Sequence, residues 1–151
     1  MLRLTVFEFI VRAIPEAFIY ILACYTLSKN RLNIKRYIFS SILFATCMYF
    51  IRMLPINYGV HTILNIITIT VILITINKID IIPAIKSSII TFICLFITEL
   101  VNMLSLSLIF KEHLEAIMEN TILKTISGLP SLAMFFLITL YCYNLRKKGK
   151  F

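Results

Sequence analysis

The sequence predicts an all-α integral membrane protein, a bundle of about five transmembrane helices. Two observations carry this prediction. Hydrophobic residues make up 60% of the 151 residues and the mean hydropathy is +0.96, whereas soluble domains are about 45–50% apolar. Charged residues amount to only 15%, and most of them stand at the ends of long apolar runs. With three glycines and four prolines the chain has no room for long linkers, so residues 1–151 form a single transmembrane domain.

Five apolar segments are long enough to cross a bilayer, which takes about 20 residues in a helix. The predicted spans are residues 4–27, 34–54, 60–76, 81–109 and 123–144. Pro15 falls inside the first span, because a span starting after it would be too short. A proline there lacks the backbone N–H and predicts a kink that releases the carbonyl of Val11.

The longest connection, between the fourth and fifth spans, has an amphipathic pattern. Leu114, Ile117 and Met118 recur at helical spacing, and glutamates occupy the opposite face. This pattern predicts a short helix lying on the membrane surface.

The distribution of lysine and arginine predicts the orientation. Ten of the fifteen lie on the side of the first loop, the third loop and the C-terminus. Positive residues favour the cytoplasmic side, so we expect the N-terminus outside and the C-terminus in the cytoplasm of a multi-pass cell-membrane protein. If the first segment were only interfacial, four spans would remain and both ends would be cytoplasmic. The basic clusters at residues 29–36 and 146–150 flank spans, which indicates contact with anionic lipid headgroups rather than nucleic acid.

Three ionisable residues share one face of the first span. Glu8, Arg12 and Glu16 follow each other at intervals of four, so a regular helix places Arg12 between two carboxylates. Ionisable groups at membrane depth are costly, and they mark functional sites by default. Two interpretations stay open: an ion-paired seam against another helix, or the polar wall of a ligand cavity open to the outside.

Glu99 is the most isolated charge, in the fourth span. A carboxylate facing lipid costs on the order of 3 kcal/mol, so we expect Glu99 to face the bundle interior and to contact the third span or Arg52. The fourth and third spans carry polar stripes that either pack together through hydrogen bonds or line a cavity. The stripes consist of Thr91, Thr98, Asn102 and Ser105 in the fourth span, and of His61, Asn65, Thr68 and Thr75 in the third.

The turn between the second and third spans adds Arg52 and His61 at the outer interface. Arg52 can bind a carboxylate in bidentate fashion or extend to the lipid headgroups. Three carboxylates face two arginines in the resulting set, which favours a cationic or mixed-charge ligand such as a peptide. The candidate ligand-binding residues are Glu8, Arg12, Glu16, Arg52, His61, Asn65, Glu99 and Asn102.

The sequence gives no sign of catalysis, of a cofactor or of a metal site. Cys24, Cys47, Cys94 and Cys142 lie inside apolar runs without a CxxC pair, where thiols behave as small hydrophobic groups. The metalloprotease, hydrolase and phosphate-binding motifs are missing. We therefore expect a protein that is not an enzyme and that needs no cofactor.

Two stretches carry a resemblance to a known family. The sequence IPEA at residues 14–17 and the sequence RMLPINYGVHTIL at residues 52–64, with the basic first loop, resemble the N-terminal multi-span sensor region of clostridial histidine kinases of the GHKL, accessory-gene-regulator type. The resemblance implies sensing of an extracellular cue, often a peptide, through the membrane region. The sequence shows neither a phosphoacceptor histidine segment nor glycine-rich ATP boxes, so kinase activity is not implied.

The sequence therefore favours a membrane sensor that binds an extracellular cue in a polar cavity. Such a sensor would signal through helix repacking to a cytoplasmic or membrane partner, as a single chain or a homo-oligomer. The alternative is a small transporter subunit or an oligomeric ion channel in which Glu99 is the intramembrane ion or proton site. A scaffold for a larger membrane complex is a third reading.

Overall fold

The computed structural model describes residues 5–150, and within this range the chain is helical with short connections and no strand. The predicted start of the first span at residue 4 lies outside the described residues. The elements in chain order are α1 (Val6–Glu8), a π-helical turn (Phe9–Ala13), α2 (Ile14–Ser28), α3 (Ile34–Met53), α4 (Tyr58–Thr75), α5 (Ile81–Ile109), α6 (Leu114–Glu119) and α7 (Thr121–Lys147).

Side chains that cap the helices explain several of these boundaries. The Thr5 hydroxyl accepts from the Glu8 N–H, and the Glu8 carboxylate accepts from the Thr5 N–H at 3.2 Å, which forms a capping box. Asn33 and Asn120 cap α3 and α7 through their side-chain oxygens. At its other end α2 stops at Lys29, which adopts the left-handed conformation with φ 57°.

The N-terminal helix changes its hydrogen-bonding pattern just before Pro15. In the π-helical turn the Ile14 N–H donates to the Phe9 carbonyl, five residues back, and Pro15 then lies in the first turn of α2. Proline lacks the N–H that would donate to a helical carbonyl, and a local π-helical adjustment is one way in which a helix accommodates it. The first predicted span is thus one run of helical residues containing a π-helical turn.

Helix α2 is the central element of the bundle and packs against α3, α5 and α7, while α4 lies between α3 and α5. Its residues Ala17, Ile21 and Cys24 are completely buried. Small side chains such as Ala17 and Ala84 allow helix backbones to approach closely, which is how helices associate in membranes.

Three helices, α3, α5 and α7, are long and apolar enough to cross a membrane, and the part of α4 from Gly59 to Thr75 is a shorter apolar helix. Large apolar side chains on their outer faces are exposed, among them Ile67, Ile97 and Leu137. Extensive exposure of apolar side chains on long apolar helices is typical of a membrane-embedded helical bundle. Helix α6 forms in the connection where the amphipathic pattern predicts it, with Ile117 half-buried and Glu115 exposed.

One end of the bundle is held together by polar contacts, and we call it the closed end; it contains Asn30, Ser40, Asn77 and Arg146. The Tyr25 hydroxyl donates to Asn77 Oδ1 at 2.7 Å, and the Ser40 hydroxyl donates to the same oxygen at 3.3 Å. The Arg146 guanidinium donates to the carbonyls of Tyr25 at 2.8 Å and Asn30 at 2.7 Å. These bonds join the C-terminal parts of α2 and α7 and satisfy carbonyls that a helix end leaves unpaired.

Candidate functional site

A cavity of about 400 Å³ lies at the opposite end of the bundle, which we call the cavity end. Its volume is within the range of about 300–1,000 Å³ that is typical of small-molecule sites. The walls come from the N-terminal helix and from α3, α4, α5 and α7. The lining residues are Glu8, Arg12, Glu16, Tyr20, Phe44, Met48, Arg52, His61, Thr62, Asn65, Phe92, Leu95, Phe96, Glu99 and Lys124.

Seven of the eight residues selected from the sequence line this cavity, and Asn102 is the exception. The Asn102 side-chain amide donates to the Ser127 carbonyl at 2.7 Å and thereby joins α5 to α7. Asn102 also lines a second cavity of about 180 Å³, which is bordered by α5, α6 and α7. The two cavities share the side chains of Arg12, Glu99 and Lys124.

Arg12 forms an ion pair with Glu99, with 2.9 Å between Nη2 and Oε1. We expected Glu99 to contact the third span or Arg52. That expectation was wrong for its closest contact, which is Arg12 of the first span. Arg12 was also expected to lie between Glu8 and Glu16, but its ion pair joins it to Glu99 of α5. Glu8, Arg12 and Glu16 still line one cavity. Glu8 takes part in a capping box and Glu16 lies near Arg52, so the partner of Arg12 comes from another helix.

The guanidinium of Arg12 lies against the backbone of α7 at Gly128. A Cβ atom at Gly128 would stand 3.0 Å from Arg12 Nη1 and 3.2 Å from Cζ. Real Cβ atoms rarely come so close, so glycine at this position makes room for the arginine. Sequence reasoning missed this role of Gly128, although a glycine inside an apolar helix was the available signal.

The two other carboxylates of the first span have different partners. Glu16 is 3% exposed, and its Oε2 lies 3.8 Å from Arg52 Nη2. This separation permits charge attraction but exceeds hydrogen-bond length. Glu8 takes part in the capping box with Thr5. Arg52 thus lies near a buried carboxylate, but without the bidentate hydrogen bonds of the carboxylate-binding alternative.

Four buried polar atoms of cavity-lining side chains lack a hydrogen-bond partner among the described residues: Arg12 Nε, Glu16 Oε2, His61 Nδ1 and Asn65 Oδ1. Buried polar groups normally have such partners, and each unsatisfied one costs about 1–3 kcal/mol. Three of the four can accept a hydrogen bond and one can only donate. Arg12 and Glu16 belong to the N-terminal helix, and His61 and Asn65 belong to α4. All four side chains line the cavity, where a polar molecule can pair with these atoms.

Lys124 and an aromatic pair complete the cavity, and sequence reasoning assigned neither to the site. Phe92 and Phe96 are stacked, with ring centroids 6.4 Å apart and an interplanar angle of 19°. Lys124 raises the number of cationic side chains in the lining from two to three, which equals the three carboxylates. The sequence-based preference for a cationic ligand therefore loses its basis, and a mixed-charge ligand fits better.

The predicted polar stripes of the third and fourth spans do not pair residue by residue. Thr98 and Ser105 donate to carbonyls of their own helix. The Thr70 hydroxyl donates to the Ser88 hydroxyl at 3.0 Å and so joins α4 to α5, and neither residue belongs to the stripes. His61 and Asn65 line the cavity, as the second alternative for these stripes expected.

The thiols lie apart from this chemistry. The Cys24 thiol is buried and donates to the Thr91 hydroxyl at 3.5 Å. Within residues 5–150, no group of three or more His, Cys, Asp or Glu side chains is arranged to hold a metal ion.

Comparisons of the chain with protein-family models, with curated proteins and with solved structures find no match. The candidate site therefore stands on its own geometry and chemistry.

Proposed function

We propose that the protein is a membrane receptor-like module that binds an extracellular ligand in the 400 Å³ cavity. The observation that carries the proposal is the set of four buried polar atoms without partners on the cavity walls. A bundle that only packed its helices together would gain stability by pairing these atoms or by replacing them with apolar groups. The cavity has room for water or a polar ligand to pair with these atoms, and the proposal assigns them to a ligand.

The proposed topology has five spans, with the N-terminus outside and the C-terminus in the cytoplasm. The helical run from Val6 to Ser28 is the first span, and α3, α4, α5 and α7 are the others. In this orientation the cavity opens toward the outside and the basic closed end faces the cytoplasm. A reporter fused after Phe151 should be active only in the cytoplasm, and external activity of that reporter would reverse the assignment.

Signalling would follow because the helices that line the cavity also form the closed end of the bundle. Arg12, Glu99 and Lys124 belong to three helices that meet at the cavity, and α7 is tied to α2 at the other end by Arg146. A ligand shifts such packing only as far as it prefers one arrangement over another. The proposed output is a change at the basic cytoplasmic end that a partner protein recognises.

Both stretches that resemble histidine-kinase sensor regions contribute to the cavity. IPEA supplies Glu16, and RMLPINYGVHTIL supplies Arg52 and His61. The two stretches are far apart in the sequence but line the same cavity. This supports a common role in recognising the cue. In this proposal the partner is a cytoplasmic or membrane signalling protein.

Cysteine accessibility tests whether the cavity is open to the outside. In a variant with Cys24, Cys47, Cys94 and Cys142 replaced by alanine, Glu16→Cys should react with a membrane-impermeant thiol reagent added to whole cells. Ser40→Cys, which is completely buried at the closed end, is the matched control and should not react. Absence of labelling at position 16, together with a folded protein, would refute an externally open cavity.

A small transporter or ion channel is the second candidate, because the Arg12–Glu99 pair stands between two cavities. An ion pair that opened would join them. Two observations weigh against it: Glu99 already has a cationic partner, and Ile69 and Leu73 are completely buried in the core toward the closed end. In this reading Glu99→Gln would abolish proton or cation flux in liposomes, whereas a receptor shows no flux to lose.

A further inference from the structure

The second cavity, of about 180 Å³ between α5, α6 and α7, has a lining that includes two contrasting groups of side chains. The cationic group consists of Arg12 and Lys124, and the apolar group of Met103, Leu106 and Met118. Met103 and Met118 are exposed on the outside of the bundle, so the apolar part of the lining continues onto the surface. A cavity with this combination suits an anionic amphiphile.

Helix α7 brings the two cationic side chains together. Lys124 and Gly128 are four residues apart on this helix and therefore lie on one face. The Arg12 guanidinium packs on that face, because a Cβ atom at Gly128 would stand 3.0 Å from Arg12 Nη1 and 3.5 Å from Nε. Arg12 and Lys124 are thus neighbours in the lining of this cavity.

Both cationic side chains keep donors that no protein group uses. Arg12 Nη2 pairs with Glu99, but the buried Nε atom has no hydrogen-bond partner among the described residues. The Lys124 ammonium has no ion pair and no hydrogen bond within residues 5–150. Among the described lining residues, two cationic side chains face the single carboxylate of Glu99, which leaves one positive charge uncompensated.

The volume limits how much of an amphiphile fits inside. One water molecule occupies about 30 Å³ of liquid, so a cavity of about 180 Å³ holds a headgroup but not a whole lipid. The chains would continue along the outer surface of α5, where Leu100 is exposed one turn before Met103. Methionine side chains are flexible and polarisable, which lets them adapt to such chains.

We propose that this cavity binds the headgroup of an anionic phospholipid, with the phosphate at Arg12 Nε and Lys124 and the acyl chains against Met103 and Met118. Arginine and lysine bind phosphate through charge-assisted hydrogen bonds. The inference goes beyond the proposed function, because a lipid can occupy this cavity whether or not the larger one admits an extracellular ligand. Since Arg12 and Lys124 line both cavities, a bound lipid would also hold one wall of the larger cavity in place.

Tryptophan reporters separate this site from the basic closed end. The chain contains no tryptophan, so Met103→Trp reports on the surface beside the cavity, and Ile82→Trp reports on the other end of the same helix. The full chain in detergent micelles is titrated with phosphatidylglycerol or phosphatidylcholine that carries bromine on its acyl chains, which quenches a tryptophan by contact. At Met103→Trp we expect phosphatidylglycerol to bind about 5- to 10-fold more tightly than phosphatidylcholine, because the extra positive charge favours a lipid with net negative charge.

Variants in the Met103→Trp background assign this preference to the cationic group. Lys124→Ala should reduce the preference about 5-fold, whereas Lys124→Arg should keep it. Lys111→Ala is the matched control, since Lys111 is exposed in the connection between α5 and α6 and lines neither cavity. Met118→Glu places a carboxylate at the exposed rim and should also remove the preference, which provides a second test if Lys124→Ala does not fold.

A water-soluble competitor distinguishes a lipid from a free phosphate. Because sn-glycerol 3-phosphate has no acyl chains, it should displace phosphatidylglycerol only at a concentration at least about 10-fold higher. Displacement at equal concentration would show a site for a free phosphate and overturn the lipid assignment. Equal quenching by the two lipids at Met103→Trp, or the same loss in Lys111→Ala as in Lys124→Ala, would overturn the site itself.

Discussion

The two ends of this bundle treat polar side chains in opposite ways. At the closed end, the polar groups of Tyr25, Ser40 and Arg146 bond to protein acceptors at 2.7–3.3 Å. At the cavity end, four buried polar atoms have no such partner. Asn77 Nδ2 is a similar atom at the closed end, but its side-chain oxygen already accepts two hydrogen bonds.

The difference separates two uses of polar residues within a membrane. Side chains that find each other across helices hold the bundle together. Side chains that are buried but left unpaired lower its stability, and such a cost persists at sites that bind another molecule. Substitutions at the closed end should therefore change mainly stability, and substitutions at the cavity end should change mainly the site.

The largest effect on stability is expected at the closed end. Arg146→Ala removes two charged hydrogen bonds to the carbonyls of Tyr25 and Asn30 and should lower the free energy of unfolding by about 2–3 kcal/mol. SDS-induced unfolding in mixed micelles, followed by circular dichroism, measures it. Lys147→Ala on the same helix is the control and should change stability by less than about 0.5 kcal/mol. A comparable loss in both variants would show that the Arg146 bonds do not hold this end together.

The Arg12–Glu99 pair should contribute less, because both side chains are partly exposed, 23% and 39%. In a double-mutant cycle of Arg12→Met and Glu99→Gln we expect a coupling energy of about 1 kcal/mol, within the range measured for polar contacts in membrane bundles. The cycle of Arg12→Met with Glu8→Gln should be additive, because Glu8 bonds to Thr5 instead. Additivity in the first cycle would show that the Arg12–Glu99 ion pair does not stabilise the bundle.

Gly128 offers a test whose sign depends on Arg12. Gly128→Ala adds a methyl group 3.0 Å from Arg12 Nη1, and the displaced guanidinium should lower stability by about 1 kcal/mol. In an Arg12→Ala background the clash is gone, so the same substitution should stabilise the helix by about 0.5–1 kcal/mol. The same sign in both backgrounds would contradict the packing of Arg12 on Gly128.

The smallest expected effect concerns a single hydroxyl group. Tyr25→Phe removes the 2.7 Å bond to Asn77 Oδ1, but Ser40 still donates to that oxygen. We therefore expect a loss of only about 0.5 kcal/mol in the same unfolding assay, because one acceptor stays satisfied. Tyr141→Phe, at a side chain that is 65% exposed, is the control. A loss above about 2 kcal/mol for Tyr25→Phe would show that the network depends on this one bond.

Most of the helical pattern could be read from the sequence. The fourth predicted span, residues 81–109, coincides with α5, and residues 34–54 differ from α3 by one residue. The predicted start at residue 123 misses α7 by two residues because Asn120 caps the helix earlier than the apolar run begins. Apolar length fixes where a helix lies, whereas capping side chains fix where it ends.

Seven of the eight residues selected from the sequence line one cavity, and their role in binding stays a prediction. A charge in an apolar run must face the interior, so Glu16 and Glu99 could be assigned there before any contact was known. Lys124 was missed because a lysine near a helix start is usually solvated. Gly128 was missed because nothing in a sequence tells which side chain will approach a glycine.

The sequence by itself determined the helices, their apolar faces and the residues that could not face lipid, because hydropathy and charge act along the chain. Only the tertiary structure decided which side chains are partners. Arg12 pairs with Glu99 rather than with Glu8 or Glu16, and Arg52 lies near Glu16. The hydrogen bond from α4 to α5 joins Thr70 to Ser88 rather than residues of the predicted stripes. The physical reason is that helix packing sets the distances between segments far apart in the chain, which hydropathy and charge along the sequence do not specify.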